Sequence, residues 1–206
     1  MTNKEKKKLH RKTIKTHRKY VRQMCFKMGI PLQGLIHDLS KYSKEEFEIF
    51  KYYTGTCSPH QEMRNQFGYS DRWMYHYHKN KHHWQYWLDI EDYPDKIYPI
   101  KMPYKYVIES ICDFVGAGMA YSKEKWTPNS PWEYWVLRCK GKRLMHPDSE
   151  YLTEKLLWSI KELGLEGFLK MYSKSKNYFK ENYENGTLQE KDRMLEVKEW
   201  NIERNQ

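Results

Sequence analysis

The chain has 206 residues, enough for one domain with a real core, and 16% of them are aromatic. Its net charge of +10 invites a nucleic-acid reading, but residues 1–22 hold ten Lys/Arg and one acid, Glu5, while the rest carries 27 basic and 26 acidic residues. The composition thus argues against a domain that is basic throughout, and no apolar stretch approaches the ~20 residues needed to span a bilayer.

The four cysteines, Cys25, Cys57, Cys112 and Cys139, form no C-x-x-C pair, and the N-terminus lacks an apolar leader core. The expectation is a soluble, cytoplasmic protein with reduced thiols and no membrane partner.

Helical periodicity dominates, and no alternating run is convincing as a strand. A first helix is predicted from about Lys4 to Met28, with an inward seam of Ile14, His17, Val21, Met24 and Met28; Gly29 and Pro31 end it. A short helix follows from Leu32 to Leu39. Ser43 and Glu46 make a capping box for the next, Lys44 to Tyr53. Residues 54–70 read as loop. A helix from Ser70 to the mid-80s would place Trp73, His76, Asn80, His83 and Trp87 on one stripe, with His78 and His82 paired on another face. Residues 89–103 read as a connecting loop. Pro103 opens a helix running to about Tyr121. Further helices are expected over Trp132–Cys139, from Asp148 to Gly164, and from Glu166 to Tyr183, closed by Asn185-Gly186. The chain is read as an all-α, compact single-domain bundle of seven to nine helices over 1–186. Residues 187–206 are a charged tail or frayed helix.

Three features carry chemistry. His37-Asp38 in GLIHDLSKYS offers two adjacent metal ligands, with Lys41 close behind as a cation for phosphate. His17 lies on an apolar seam, where an unpartnered imidazole is costly; a hydrogen bond or a metal would satisfy it. Four His fall within residues 76–83, and imidazole is a common transition-metal ligand. Glu109 and Asp113 share one helix, and Asp113 lies beside Gly116, Ala117 and Ala120, small residues that let another helix approach.

The order His17, His37-Asp38, His cluster, Asp113 resembles the HD-domain superfamily, all-helical metal-dependent phosphohydrolases, over roughly residues 10–122. The HDLSKYS, NKHHW, MPYKYVIESICD and HPDSE blocks also resemble a group of small bacterial and phage proteins that brings no known reaction. The resemblance implies one divalent ion on His17, His37, Asp38 and Asp113. It implies a second, bridged by Asp38, on His76 and one of His82 or His83, with His60 as a rival ligand. Mn, Fe, Co, Ni, Zn and Mg are not distinguished. Asp38, Lys41, His76 and Glu109 are the candidate catalytic residues: Lys41 for phosphate, Glu109 to orient a ligand His, and His76 or Glu109 to shuttle a proton. Arg18, Lys79 and Lys81 are candidate cations at the mouth.

The implied activity is a metal-dependent phosphohydrolase acting on a nucleotide or other small phosphate ester. The alternatives are a di-iron oxygenase of the same superfamily and a non-enzymatic, metal-stabilised module binding nucleic acid or a partner. The basic residues 4–22 are the candidate nucleic-acid contact.

Overall fold

The computed structural model describes residues 1–54, 58–91, 96–138 and 144–192. Eight α-helices have both ends within them: α1 (Asn3–Lys27), α2 (Pro31–Ile36), α3 (Lys44–Phe47), α4 (Pro59–Phe67), α5 (Asp71–Lys79), α6 (Tyr104–Ser122), α7 (Ser130–Arg138) and α8 (Pro147–Glu184). The fold is all-α, and the helix number lies within the seven to nine expected. Among the described residues no helix is long and apolar enough to cross a membrane.

The core is where α1, α6 and α8 meet. Val21, Met24 and Cys25 face Val107, Ile108, Ile111 and Val115, and Leu152, Leu156 and Ile160 close the other side. Fully burying each such aliphatic side chain contributes about 1.5–3 kcal/mol. Helix α8 bends at Gly164, whose φ of 66° and ψ of 169° need glycine, so its two arms meet the expected boundary between residues 164 and 166. Residues 188–192 are helical, with Leu188 and Asp192 buried, and Asp192 takes a hydrogen bond from Tyr151 Oη at 2.8 Å.

Several local expectations fail for identifiable reasons. Residues 59–67, read as loop, form α4, opened by Pro59 and closed by Gly68 at φ 80°. Residues 88–99 contain a short antiparallel hairpin, β1 (Leu88–Ile90) paired with β2 (Ile97–Pro99), where a loop was expected; strands of three residues are too short to show a period. The expected helix 44–53 is α3 followed by a 3-10 turn, Glu48–Tyr52. Only half of its capping box forms: Glu46 N–H donates to Ser43 Oγ at 3.2 Å, while the Glu46 side chain turns inward. The helix expected to reach the mid-80s stops at Lys79, so the proposed stripe to Trp87 is not a helical face. Cys57, Cys139 and residues 193–206 lie outside the described residues; Cys25 and Cys112 are free and buried.

Candidate metal centre

The close approach of α1 and α6 sets the first half of the site. A Cβ on Gly116 would lie 2.5 Å from Val21 Cγ2, so glycine is what lets the helices touch there. A short distance along both helices, His17 Nε2 and Asp113 Oδ1 stand 3.2 Å apart. The third and fourth groups arrive by a chain reversal. Helix α2 ends at Ile36, His37 caps it at φ −48° and ψ 127°, and Asp38 takes the left-handed conformation at φ 53°. Asp tolerates that region better than most residues, but at a cost. The turn is clamped from outside: Arg18 Nε donates to His37 O at 2.7 Å and Arg18 Nη2 to Leu35 O at 3.0 Å.

The result is four ligand atoms around one point. His17 Nε2 lies 3.2 Å from His37 Nε2 and 3.1 Å from Asp38 Oδ2. His37 Nε2 lies 3.3 Å from Asp38 Oδ2 and 3.5 Å from Asp113 Oδ1. With metal–ligand bonds of about 2.1 Å, neighbouring ligands sit roughly 3.0–3.4 Å apart, so the set already has the spacing of a coordination shell.

A second set uses the other oxygen of Asp38. His76 Nε2 and His82 Nε2 stand 3.5 and 3.6 Å from Asp38 Oδ1, and His83 Nε2 lies 2.8 Å from His76 Nε2. Ser70 caps α5 by accepting from Trp73 N–H, and α5 carries His76 inward. At its end, Asn80 Nδ2 donates to His76 O at 2.7 Å and to Ser40 Oγ at 2.7 Å, tying the helix end to the turn after Asp38. The reversal beyond Asn80 delivers His82 and His83 together. Asp38 Oδ1 and His82 Nε2 are both buried and lack a hydrogen-bond partner. Such orphaned polar atoms are costly, and two of them facing one another fit a site that could hold a cation.

Carboxylates behind the rings fix the imidazoles. His37 Nδ1–H donates to Glu109 Oε1 at 2.9 Å, and the same oxygen lies 3.3 Å from His82 Nδ1. Glu46 Oε1 lies 2.7 Å from His76 Nδ1. The bond from His37 leaves its Nε2 free to face inward, the usual way a ligating His is oriented, whereas neither Glu46 oxygen completes a hydrogen bond and Asn80 Nδ2 lies 3.1 Å from His76 Nδ1.

Burial opposes charge throughout the site, and neighbours decide the outcome. Burial would raise the Asp38 carboxyl, yet His37, Lys41 and His76 hold it well below its ordinary range. Asp113 is likewise held down, against burial, by His37, His17 and His82. Burial would lower His37, but Asp38 and Asp113 raise it well above its usual value. In His17, His60 and His83 burial prevails and keeps the rings neutral. Lys41 Nζ stands 2.6 Å from Asp38 Oδ2 and is raised, against burial, by that carboxylate, so it stays an ammonium.

A cavity of about 670 Å³ opens above these groups, with His17, Lys41, His76, His82, His83 and Asp113 in its lining. That volume suits a small-molecule ligand of roughly nucleotide size.

His17, His37, Asp38, His76, His82, His83 and Asp113 all converge, and both His82 and His83 join the second set. His78 is exposed, which breaks the pair drawn with His82. His60 joins neither set; its Nδ1 lies 3.3 Å from Ser70 Oγ, though its ring lines the cavity beside His76. Among the described residues, Arg18, Lys79 and Lys81 do not line the cavity. Arg18 is occupied as the clamp, and the two lysines lie over Tyr75 and Tyr86. Glu109 sits behind the imidazoles and off the cavity wall, so its geometry is that of an orienting group and not of a proton shuttle. Two residues were missed. Glu46 looked like a helix cap, and only its turn inward reveals it. Arg64 lines the cavity, half-buried, with its guanidinium 5.5 Å from the Trp73 ring; its segment read as loop, so nothing aimed it at the site.

Fold and site together define an all-helical protein with a buried His/Asp/Glu cluster that could hold a metal ion. Residues 6–158 match the family of unknown function DUF5662, and the chain belongs to that family. No curated protein and no solved structure matches it.

Proposed function

We propose that the chain is a metal-dependent phosphohydrolase of HD-domain type, acting on a nucleotide or other small phosphate ester. The observation that carries the reading is the position of Asp38: each of its two oxygens faces a separate group of imidazole nitrogens. That arrangement supports two divalent ions bridged by one carboxylate. His17, His37, Asp38 and Asp113 would hold one, and Asp38, His76, His82 and His83 the other.

Bound divalent ions would supply an acidified water and neutralise charge on the phosphoryl oxygens. The chain's own residues do the rest. Lys41 keeps its ammonium at the cavity lining and can meet a phosphoryl oxygen. Arg64 offers a second cation in the same cavity, with a planar fork suited to phosphate. His60, neutral through burial and the nearby His76, can accept a proton from a water in the cavity. Glu109 holds the His37 imidazole in one tautomer and orientation, and Glu46 places a carboxylate beside His76.

The test is elemental analysis of the purified protein and of Asp38→Ala, followed by a screen of nucleotides and phosphate esters with Mn, Co, Ni, Mg and Fe. Bound metal, with phosphate release that Asp38→Ala and Lys41→Ala abolish in folded protein, is the expected result. Absence of metal under every loading condition refutes the proposal. Dioxygen uptake by an iron-loaded protein without phosphate release would assign the di-iron oxygenase instead.

A further inference from the structure

We infer that α1 and α2 together form a docking surface for an anionic lipid bilayer. The first observation is a row of cations. Lys4, Lys8, Arg11, Lys15, Arg18 and Arg22 recur at alternating four- and three-residue steps, which places them on one face of α1 over about 27 Å. Arg18 is half-buried and the other five are exposed. Among the described residues none of the six is paired with a carboxylate. Like charges at such spacing repel, and a merely solvated helix face ordinarily mixes signs.

The second observation is apolar. Helix α2 packs on α1 through Gly34, where a Cβ would lie 3.1 Å from Arg22 Cα, and through the buried Gln33. Leu32, Leu35 and Ile36 share one face of α2 at helical spacing, and Leu39 after the turn and Phe26 at the end of α1 are also exposed. Each of these five is between 51 and 62% exposed. The three on α2 alone expose on the order of 300 Å², within the range of the largest apolar patch of a monomer. The two features meet: Arg18 donates to the carbonyls of Leu35 and His37.

A bilayer uses both halves. Lipid phosphates take the cation row, and the aliphatic side chains of α2 enter the headgroup boundary. The apolar seam of α1 is spent in the core, so α1 supplies mainly charge and α2, with Phe26 at the end of α1, supplies the insertion. A nucleic-acid backbone would use the cations but leave the aliphatic cluster in water. A second copy of the chain placed on this face by a two-fold axis would bring two cation rows together. The contact is peripheral, consistent with the absence of a crossing helix among the described residues. It stands independently of the proposed hydrolase activity.

Co-sedimentation of the full chain with vesicles tests this, comparing phosphatidylcholine alone with phosphatidylcholine containing about 30% phosphatidylglycerol, at low and high salt. Binding to the anionic vesicles only is expected. It should fall more than tenfold in Leu35→Ser/Ile36→Ser, and more than tenfold in Lys8→Gln/Lys15→Gln/Arg22→Gln. The second variant touches only exposed side chains, so it carries the test if the first misfolds; circular dichroism of both establishes folding. No binding to anionic vesicles overturns the inference. So does vesicle binding unchanged by the α2 variant in folded protein. Tighter binding to RNA or duplex DNA than to vesicles, or a dimer by light scattering that the α2 variant dissociates, also overturns it.

Discussion

Replacing Gly116 by alanine tests the contact that brings His17 to Asp113. The added Cβ would lie 2.5 Å from Val21 Cγ2, 2.9 Å from Val21 N and 3.2 Å from Val21 Cα. Unstrained contacts between carbon atoms are about 3.5–4.0 Å, so α1 and α6 must part by roughly 1 Å. A rotamer change can move Cγ2 but not the backbone nitrogen. Overpacking of this kind costs about 1–3 kcal/mol, and the better helix propensity of alanine returns about 1 kcal/mol. Because two of the three clashes involve backbone, we expect a net loss of about 1–2 kcal/mol, or roughly 2–8 °C in Tm. Adding Val21→Ala should recover only part of the coupling, since the backbone contacts remain. Urea and thermal unfolding of chelator-treated protein measure this. Metal titration of the same variant should show weaker binding, because the separation of His17 from Asp113 grows. A Gly116→Ala protein as stable as the parent would refute the claim that glycine sets this helix distance.

Glu109→Gln should lower metal affinity about 10–100-fold with the fold intact, because one carboxylate oxygen serves both His37 and His82; isothermal titration with Mn or Co checks it. Arg18→Met removes two donors from the carbonyls of Leu35 and His37 and should cost about 1–3 kcal/mol by urea unfolding, with weakened metal binding, since the Asp38 turn loses its clamp. His10 is buried with its Nδ1 unpartnered, and burial, then Lys41, depress it to about 4. A depressed histidine gives stability that is complete above the unfolded value near 6.5 and is lost as pH falls toward 4. Metal-free wild type should therefore lose stability across that window, and His10→Gln should lose up to roughly 3 kcal/mol less; unfolding curves at pH 7, 5.5 and 4 decide.

Much of the scaffold is written in the sequence. The seam Ile14, His17, Val21 and Met24 fixes which side of α1 is buried, and the small residues beside Asp113 announce a close helix, which proves to be α1. Proline and glycine mark the ends of α1, α6 and α8 because their dihedral limits act locally, whatever surrounds them. The His37-Asp38 pair, the crowded histidines and Asp113 can be singled out as residue types at intervals, without any knowledge of distance.

Tertiary structure decided how those residues meet. The sequence pattern continued α5 past Asn80, where Asn80 instead bonds back to Ser40 and turns the chain. That turn sends His82 and His83 inward and leaves His78 in solvent. Asp38 divides its oxygens between two groups of histidines only because it sits at φ 53° after α2 has ended, a single-residue reversal that leaves no period to detect. Glu46 and Glu109 acquire their positions from partners far along the chain. Periodicity records which face of one element is buried. The convergence of side chains from five segments depends on non-repeating dihedrals and long-range packing, and these exist only in the folded chain.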